Sequence, residues 1–169
     1  VAQLWDALAG LLTPDQARRY LHRLGDRSRA LLVLHAVSRA DDLAAASGAA
    51  IRLTDGGWFK YAVSERAQGA PEALLAACES MFPPPDLCFF LDLPPGAARD
   101  RKQVVSRYEQ GLGREGDDDG AFGRFQARLA EGWAALERRV GPWRHLDATR
   151  PVAALVDEVL AEIDRARPA

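Results

Sequence analysis

Residues 87–93 read Leu-Cys-Phe-Phe-Leu-Asp-Leu, an almost unbroken apolar run set between Pro83, Pro84 and Pro85 on one side and Pro94 and Pro95 on the other. Continuous apolarity, in place of strict alternation, is what a parallel strand covered by helices on both faces requires. The run therefore predicts a buried parallel strand, and such a strand needs crossover helices before and after it. The rest of the chain supplies them. Leu4, Leu8, Leu11 and Leu12 recur at helical spacing, and Thr13-Pro14-Asp15-Gln16 offers a cap hydroxyl, a first-turn proline and a capping-box glutamine for a second helix that Gly25 ends. Residues 27–47 read as a longer helix closed by Gly48, and 58–68 as another closed by Gly69, after which Pro71 opens a short one.

Two further short runs have strand character. Residues 49–54 are mostly apolar and stop at Asp55-Gly56-Gly57, and 143–147 follow the Gly141-Pro142 break. Pro94-Pro95 turns into a helix reaching about Gln110. A glycine-rich acidic loop around Asp117, Asp118 and Asp119 runs to Gly120, and a long helix then carries Phe122, Phe125, Leu129, Trp133 and Leu136. An amphipathic helix begins at Pro151. Alternation of strands and helices predicts an α/β chain whose strands 51–54, 87–93 and 143–146 lie parallel, with helices on both faces.

At 169 residues and 48% apolar composition, the chain is expected to be a single domain over residues 1–169. A net charge of -2 with mixed signs opposes a nucleic-acid binder that works through its overall field. No run has the apolar length of a membrane span and no leader pattern opens the sequence, so a cytoplasmic protein with no membrane partner is expected. Cys78 and Cys88 fit no metal-ligand spacing and read as reduced core residues.

Ligands of parallel α/β sheets bind beyond the carboxyl ends of the strands, which directs attention to Asp55, Asp92 and Asp147. Asp55 reads either as a carboxylate that organises a metal-bound phosphate or as an Asp-Gly turn residue. Asp92 equally suits a helix cap. Arg99, Arg101, Lys102, Arg107 and Arg114 border the acidic loop and read either as a basic segment that closes on a polyphosphate or as a solvated charged face. The histidines share no metal spacing. His22 and His145 read as surface or core-edge residues, and His35, in the apolar stretch 31–37, as a satisfied core histidine. Of the two lysines, Lys60 and Lys102, neither stands in a G-x-x-x-x-G-K-[ST] pattern.

The order of elements and several segments resemble thymidylate kinase and its relatives over nearly the whole sequence. Residues 85–95 resemble that family's fourth strand and the turn into its lid. Ser106-Arg107-Tyr108-Glu109 with 122–133 resembles the lid and the helix after it, and 143–151 the last strand and the loop that touches adenine. Residues 31–42 are similar to the helix that receives the acceptor base, and 51–55 to the strand ending in an Asp-Arg pair. Gly56 stands where the arginine is usual and His35 where an aromatic ring is, and 57–62 look like a divergent subgroup.

The resemblance implies a three-layer, P-loop NTPase-like fold lacking its first strands, and ATP-dependent phosphoryl transfer with Mg2+ to a nucleoside monophosphate. It implies Asp55 at the metal, Arg99, Arg101 and Arg107 as lid charge, and His35, Arg39, Lys60 and Tyr61 at the acceptor. Ala148, Thr149 and Arg150 would line the adenine. The expected partner is a small-molecule nucleotide, with no nucleic acid, and a homodimer is compatible with the reading. The alternatives are a kinase-derived binding module without catalysis and a P-loop kinase acting on a small molecule that is not a nucleotide. Absence of a central strand would leave unpaired strand edges, each buried orphan group costing about 1–3 kcal/mol, so either residues before Val1 or a rearranged sheet is expected.

Overall fold

The structure, a computed structural model, describes residues 13–102, 104–113 and 120–166. Among the described residues the order is α1 (Pro14–Leu21), α2 (Asp26–Ala46), α3 (Gly57–Ala67), α4 (Glu72–Glu79), β1 (Phe89–Asp92), α5 (Pro95–Asp100), a 3-10 turn (Tyr108–Gly113), α6 (Ala121–Val140), β2 (Arg144–Asp147) and α7 (Val152–Ala166). The protein is thus a mostly helical α/β structure with seven α-helices and one two-stranded parallel sheet among these residues. The capping box forms as its sequence predicts. The Thr13 amide donates to Gln16 Oε1 at 2.9 Å, and the Gln16 amide to Thr13 Oγ1 at 3.3 Å.

β1 and β2 pair in register, Phe90 opposite His145 and Asp92 opposite Asp147. Amide bonds from Arg144 to the Cys88 carbonyl (2.9 Å) and from Ala148 to the Asp92 carbonyl (2.8 Å) extend the ladder at both ends. Side chains alternate across a strand. Phe90, Trp143 and His145 share one face, where Phe90 and Trp143 meet Trp133 of α6 with ring centroids 5.6 and 5.8 Å away. Arg144 points to the other face and reaches Glu162 of α7 at 3.4 Å.

The main core lies between α2, α3, α6 and the sheet, around Val37, Phe59, Val63, Leu136 and Trp143. α3 and α6 approach so closely that a Cβ on Gly132 would stand 2.9 Å from Val63 Cγ1. A smaller cluster of Ala30, Leu34, Ala70, Leu75 and Cys78 joins α2 to α4. Both cysteines are free, Cys78 buried and Cys88 half-buried.

Several expectations need correction. Residues 51–54 form no strand: they are irregular and exposed, with Ile51 at 49% and Leu53 at 76%. Apolar composition supplied half of a strand, and among the described residues no neighbouring strand supplies the other half, the ladder that would satisfy its backbone. The central strand is shorter than 87–93, and Leu91 on it is 59% exposed, so its two faces are not both covered. The helix expected to reach Gln110 ends at Asp100; the chain re-forms as the separate turn Tyr108–Gly113, with Gly111 and Leu112 both in the left-handed region. His35 is exposed and not a core residue, because it falls on the outer face of α2 between buried Leu34 and Ala36. The helix expected over Leu4–Leu12, Arg114 and the Asp117–Asp119 patch lie outside the described residues. No helix among the described residues is long and apolar enough to cross a membrane.

Candidate functional site

A shallow cavity of about 560 Å³ opens beyond the carboxyl ends of both strands, lined by Asp92, Leu93, Pro94, His145, Asp147 and Thr149. Parallel pairing brings Asp92 and Asp147 side by side at its floor. Asp92 is not a cap for α5, whose N-cap is Pro94. Its carboxylate instead lies 2.7 Å from His145 Nδ1, while Glu137, near the end of α6, lies 2.9 Å from Nε2. A neutral imidazole carries one N–H and one lone pair, so only the imidazolium donates to both carboxylates. Hydrogen bonds to Glu137 and then Asp92 accordingly hold the His145 pKa above its usual value, and the same contact with His145 holds Glu137 below its own.

On the other strand end, the Thr149 hydroxyl (2.7 Å) and amide (2.9 Å) both donate to Asp147 Oδ1. The hydroxyl first and the amide second keep the Asp147 carboxyl below its ordinary range. This closes the loop that also carries Ala148 and Arg150. Ala148 is buried, and Arg150 is drawn to Glu158 of α7 at 2.6 Å. Arg101 Nη2 donates to the Ala148 carbonyl at 3.0 Å. A residue expected in the lid and one expected beside adenine are thereby in contact.

A second group forms at the start of α3. Gly56 takes a left-handed conformation (φ 69°), and the exposed Asp55 carboxylate, 69% accessible, pairs with Lys60 Nζ at 3.1 Å. Tyr61 lies close enough that burial and then the Asp55 charge push its hydroxyl pKa up. The structure so assembles Asp55, Lys60 and Tyr61. The side chains of His35, Arg39, Arg99 and Arg107 are exposed and form no hydrogen bond, ion pair or ring contact among the described residues. Lys102 pairs with Glu109, whose other oxygen takes the Ser106 hydroxyl and amide, so this basic segment is partly neutralised from within.

One polar group escaped the sequence reading. Arg29 of α2 and Glu65 and Gln68 at the end of α3 are all buried and joined to one another. Glu65 falls three residues after Ala62 on the buried face of α3, and a charge at that position of the helical period was the available signal. No cluster of three or more metal-ligating side chains occurs among the described residues. No family model, no curated protein and no solved structure matches this chain.

Proposed function

We propose that the chain is a nucleotide-binding α/β domain, similar to thymidylate kinases, that positions ATP for phosphoryl transfer to a nucleoside monophosphate. The observation that carries this reading is the bond from Arg101 to the Ala148 carbonyl. Two segments 47 residues apart, assigned separately to the lid and the adenine loop, meet at Ala148, which stands between two residues, Asp147 and Thr149, that line the cavity beyond the strand ends. Parallel sheets bind ligands at that position. On this reading the two strands and the helices packed against them belong to a three-layer, P-loop NTPase-like sheet, and free Cys78 and Cys88 agree with a reducing, cytoplasmic setting.

The residues fit a magnesium ion that arrives with the nucleotide better than a resident one. Mg2+ is commonly held by one or two carboxylates plus substrate phosphates, and Asp55 offers one carboxylate whose Oδ1 remains outside the Lys60 contact. Lys60 and Tyr61 then stand beside the acceptor phosphate. Arg107 and Arg99 are charges without intramolecular partners among the described residues, suited to a polyphosphate. A second reading, a nucleotide-binding module without catalysis, draws support from the Asp55–Lys60 pair, which neutralises the one carboxylate expected at the reacting centre.

Calorimetric titration with ATP and magnesium tests the shared premise. Arg101→Ala is expected to weaken binding by roughly tenfold, the worth of one charge-assisted hydrogen bond. Undetectable binding to the unmodified protein removes both readings. Where binding is found, radiolabelled phosphate transfer to a panel of nucleoside monophosphates separates enzyme from module.

A further inference from the structure

The turn Tyr108–Gly113 packs along α6 and is tied to α3 by a small set of polar contacts. Tyr108 Oη donates to Glu65 Oε1 at 3.0 Å, and Gln68 Nε2 donates to the Tyr108 carbonyl at 3.0 Å. Behind them, Arg29 Nε donates to the second Glu65 oxygen at 2.9 Å and Arg29 Nη2 to the Gln68 carbonyl at 3.3 Å, with Asp26 at 3.2 Å on Nη1. Gly69, at φ 86°, ends α3 so that the Ala70 amide reaches back to the Glu65 carbonyl, which sets the positions of Glu65 and Gln68 together.

Other features oppose the docked arrangement. Gln68 Oε1 is buried with no hydrogen-bond partner among the described residues. Leu112 adopts φ 55°, a left-handed conformation that a branched side chain avoids, directly after Gly111 at φ 80°. The docked arrangement therefore includes a strained residue in the turn and an unpartnered acceptor on the α3 end it meets, and the contacts of Tyr108 must outweigh both.

We propose that Tyr108 is a positioning residue: its hydroxyl, received by the Glu65 carboxylate that Arg29 orients, keeps the 104–113 segment docked on α3 and so fixes where the adjacent Arg107 presents its charge. Arg107 has no side-chain partner of its own among the described residues, so its location is set by its neighbour in the chain. The relevance of Arg107 to phosphate rests on the function proposed above; the docking itself does not.

The test is amide hydrogen exchange on the full chain without nucleotide, so its result is independent of whether ATP binds. Tyr108→Phe keeps the ring and removes one hydroxyl. Exchange across 104–113 is expected to accelerate about tenfold, the equivalent of one net hydrogen bond to a charged group, while the sheet keeps its rates. Leu146→Val, a mild core change in β2, serves as the comparison, because it lowers protection wherever opening is global. Unchanged exchange in 104–113 of Tyr108→Phe overturns the proposal. So does acceleration spread through the whole protein in the pattern of Leu146→Val, which would make Tyr108 a contributor to stability alone. Failure of ATP to bind, with the local acceleration present, would count against the nucleotide reading and leave the docking role supported.

Discussion

Arg29 and Glu65 meet 2.9 Å apart inside the protein, with 3% and 0% of their side chains exposed. Burial pushes the Glu65 pKa up, and the Arg29 charge with the Tyr108 hydroxyl works against that. Removing one member of such a pair strands the other in a site that cannot hydrate it. Arg29→Met is expected to destabilise the fold by about 3–5 kcal/mol in urea unfolding, whereas Arg29→Met with Glu65→Leu loses far less, since no uncompensated charge remains. A double variant as unstable as the single one would refute this account of the pair.

His145 is expected to titrate above the usual 6.5 when followed by its ring protons in NMR. Because the folded value is raised, its contribution to stability is complete below the unfolded value and fades as pH rises through the folded one. The melting-temperature gap between the protein and His145→Gln should therefore be widest near pH 6 and close at alkaline pH. The approximate position of that window follows from the ordinary histidine value. A gap that widens with rising pH would show that the imidazolium is not the form held by Asp92 and Glu137.

Gly132 on α6 faces Val63 on α3 at the closest approach of the two helices. Replacing a mid-helix glycine by alanine ordinarily gains about 0.5–1 kcal/mol, but here the new methyl meets a β-branched side chain with little freedom to turn. Gly132→Ala should fail to stabilise the protein, and should do so once Val63→Ala has cleared the space. Identical effects of Gly132→Ala in both backgrounds would contradict the close contact.

Tyr61 carries a hydroxyl pKa raised first by burial and second by the Asp55 charge. Asp55→Asn should bring its titration down by the smaller share and leave it above 10.0, the ordinary value. Global stability should change by less than about 1 kcal/mol, since the Lys60–Asp55 pair is largely exposed. An unaltered Tyr61 midpoint would mean that the carboxylate does not face the phenol.

Local patterns were legible where one stretch of sequence carries its own partner. Thr13 and Gln16 are such a case, being three residues apart and bonded to each other. The parallel pairing of the runs that contain Phe89–Asp92 and Arg144–Asp147 was also readable, because alternation of element types dictates it. Residues 51–54 defeated the same reasoning: a strand is half of a ladder, and its residues say nothing of whether the other half exists. The candidate site divides in the same way. Asp55 and Lys60 are five residues apart and meet, but Glu137, His145 and Asp92 come from three elements, and nothing in the spacing of histidines could announce that two carboxylates grip both nitrogens of His145. The contacts of Glu65 with Arg29 and Tyr108 bridge 36 and 43 residues and depend wholly on how helices pack.

α7 has not one buried residue, and Val152, Val156 and Leu160 leave 75%, 48% and 53% of their surface to solvent. Beside the half-buried stripe of Leu155, Val159 and Ile163, its attachments include ion pairs at Glu158 and Glu162, both to residues of the strand β2 or the loop after it. Ion pairs of this exposure weaken with added salt, while apolar burial does not. The grip of the last helix on the sheet therefore has an ionic-strength-dependent part: amide exchange across 152–166 should quicken in concentrated sodium chloride, even as the interior around Phe125 stays closed.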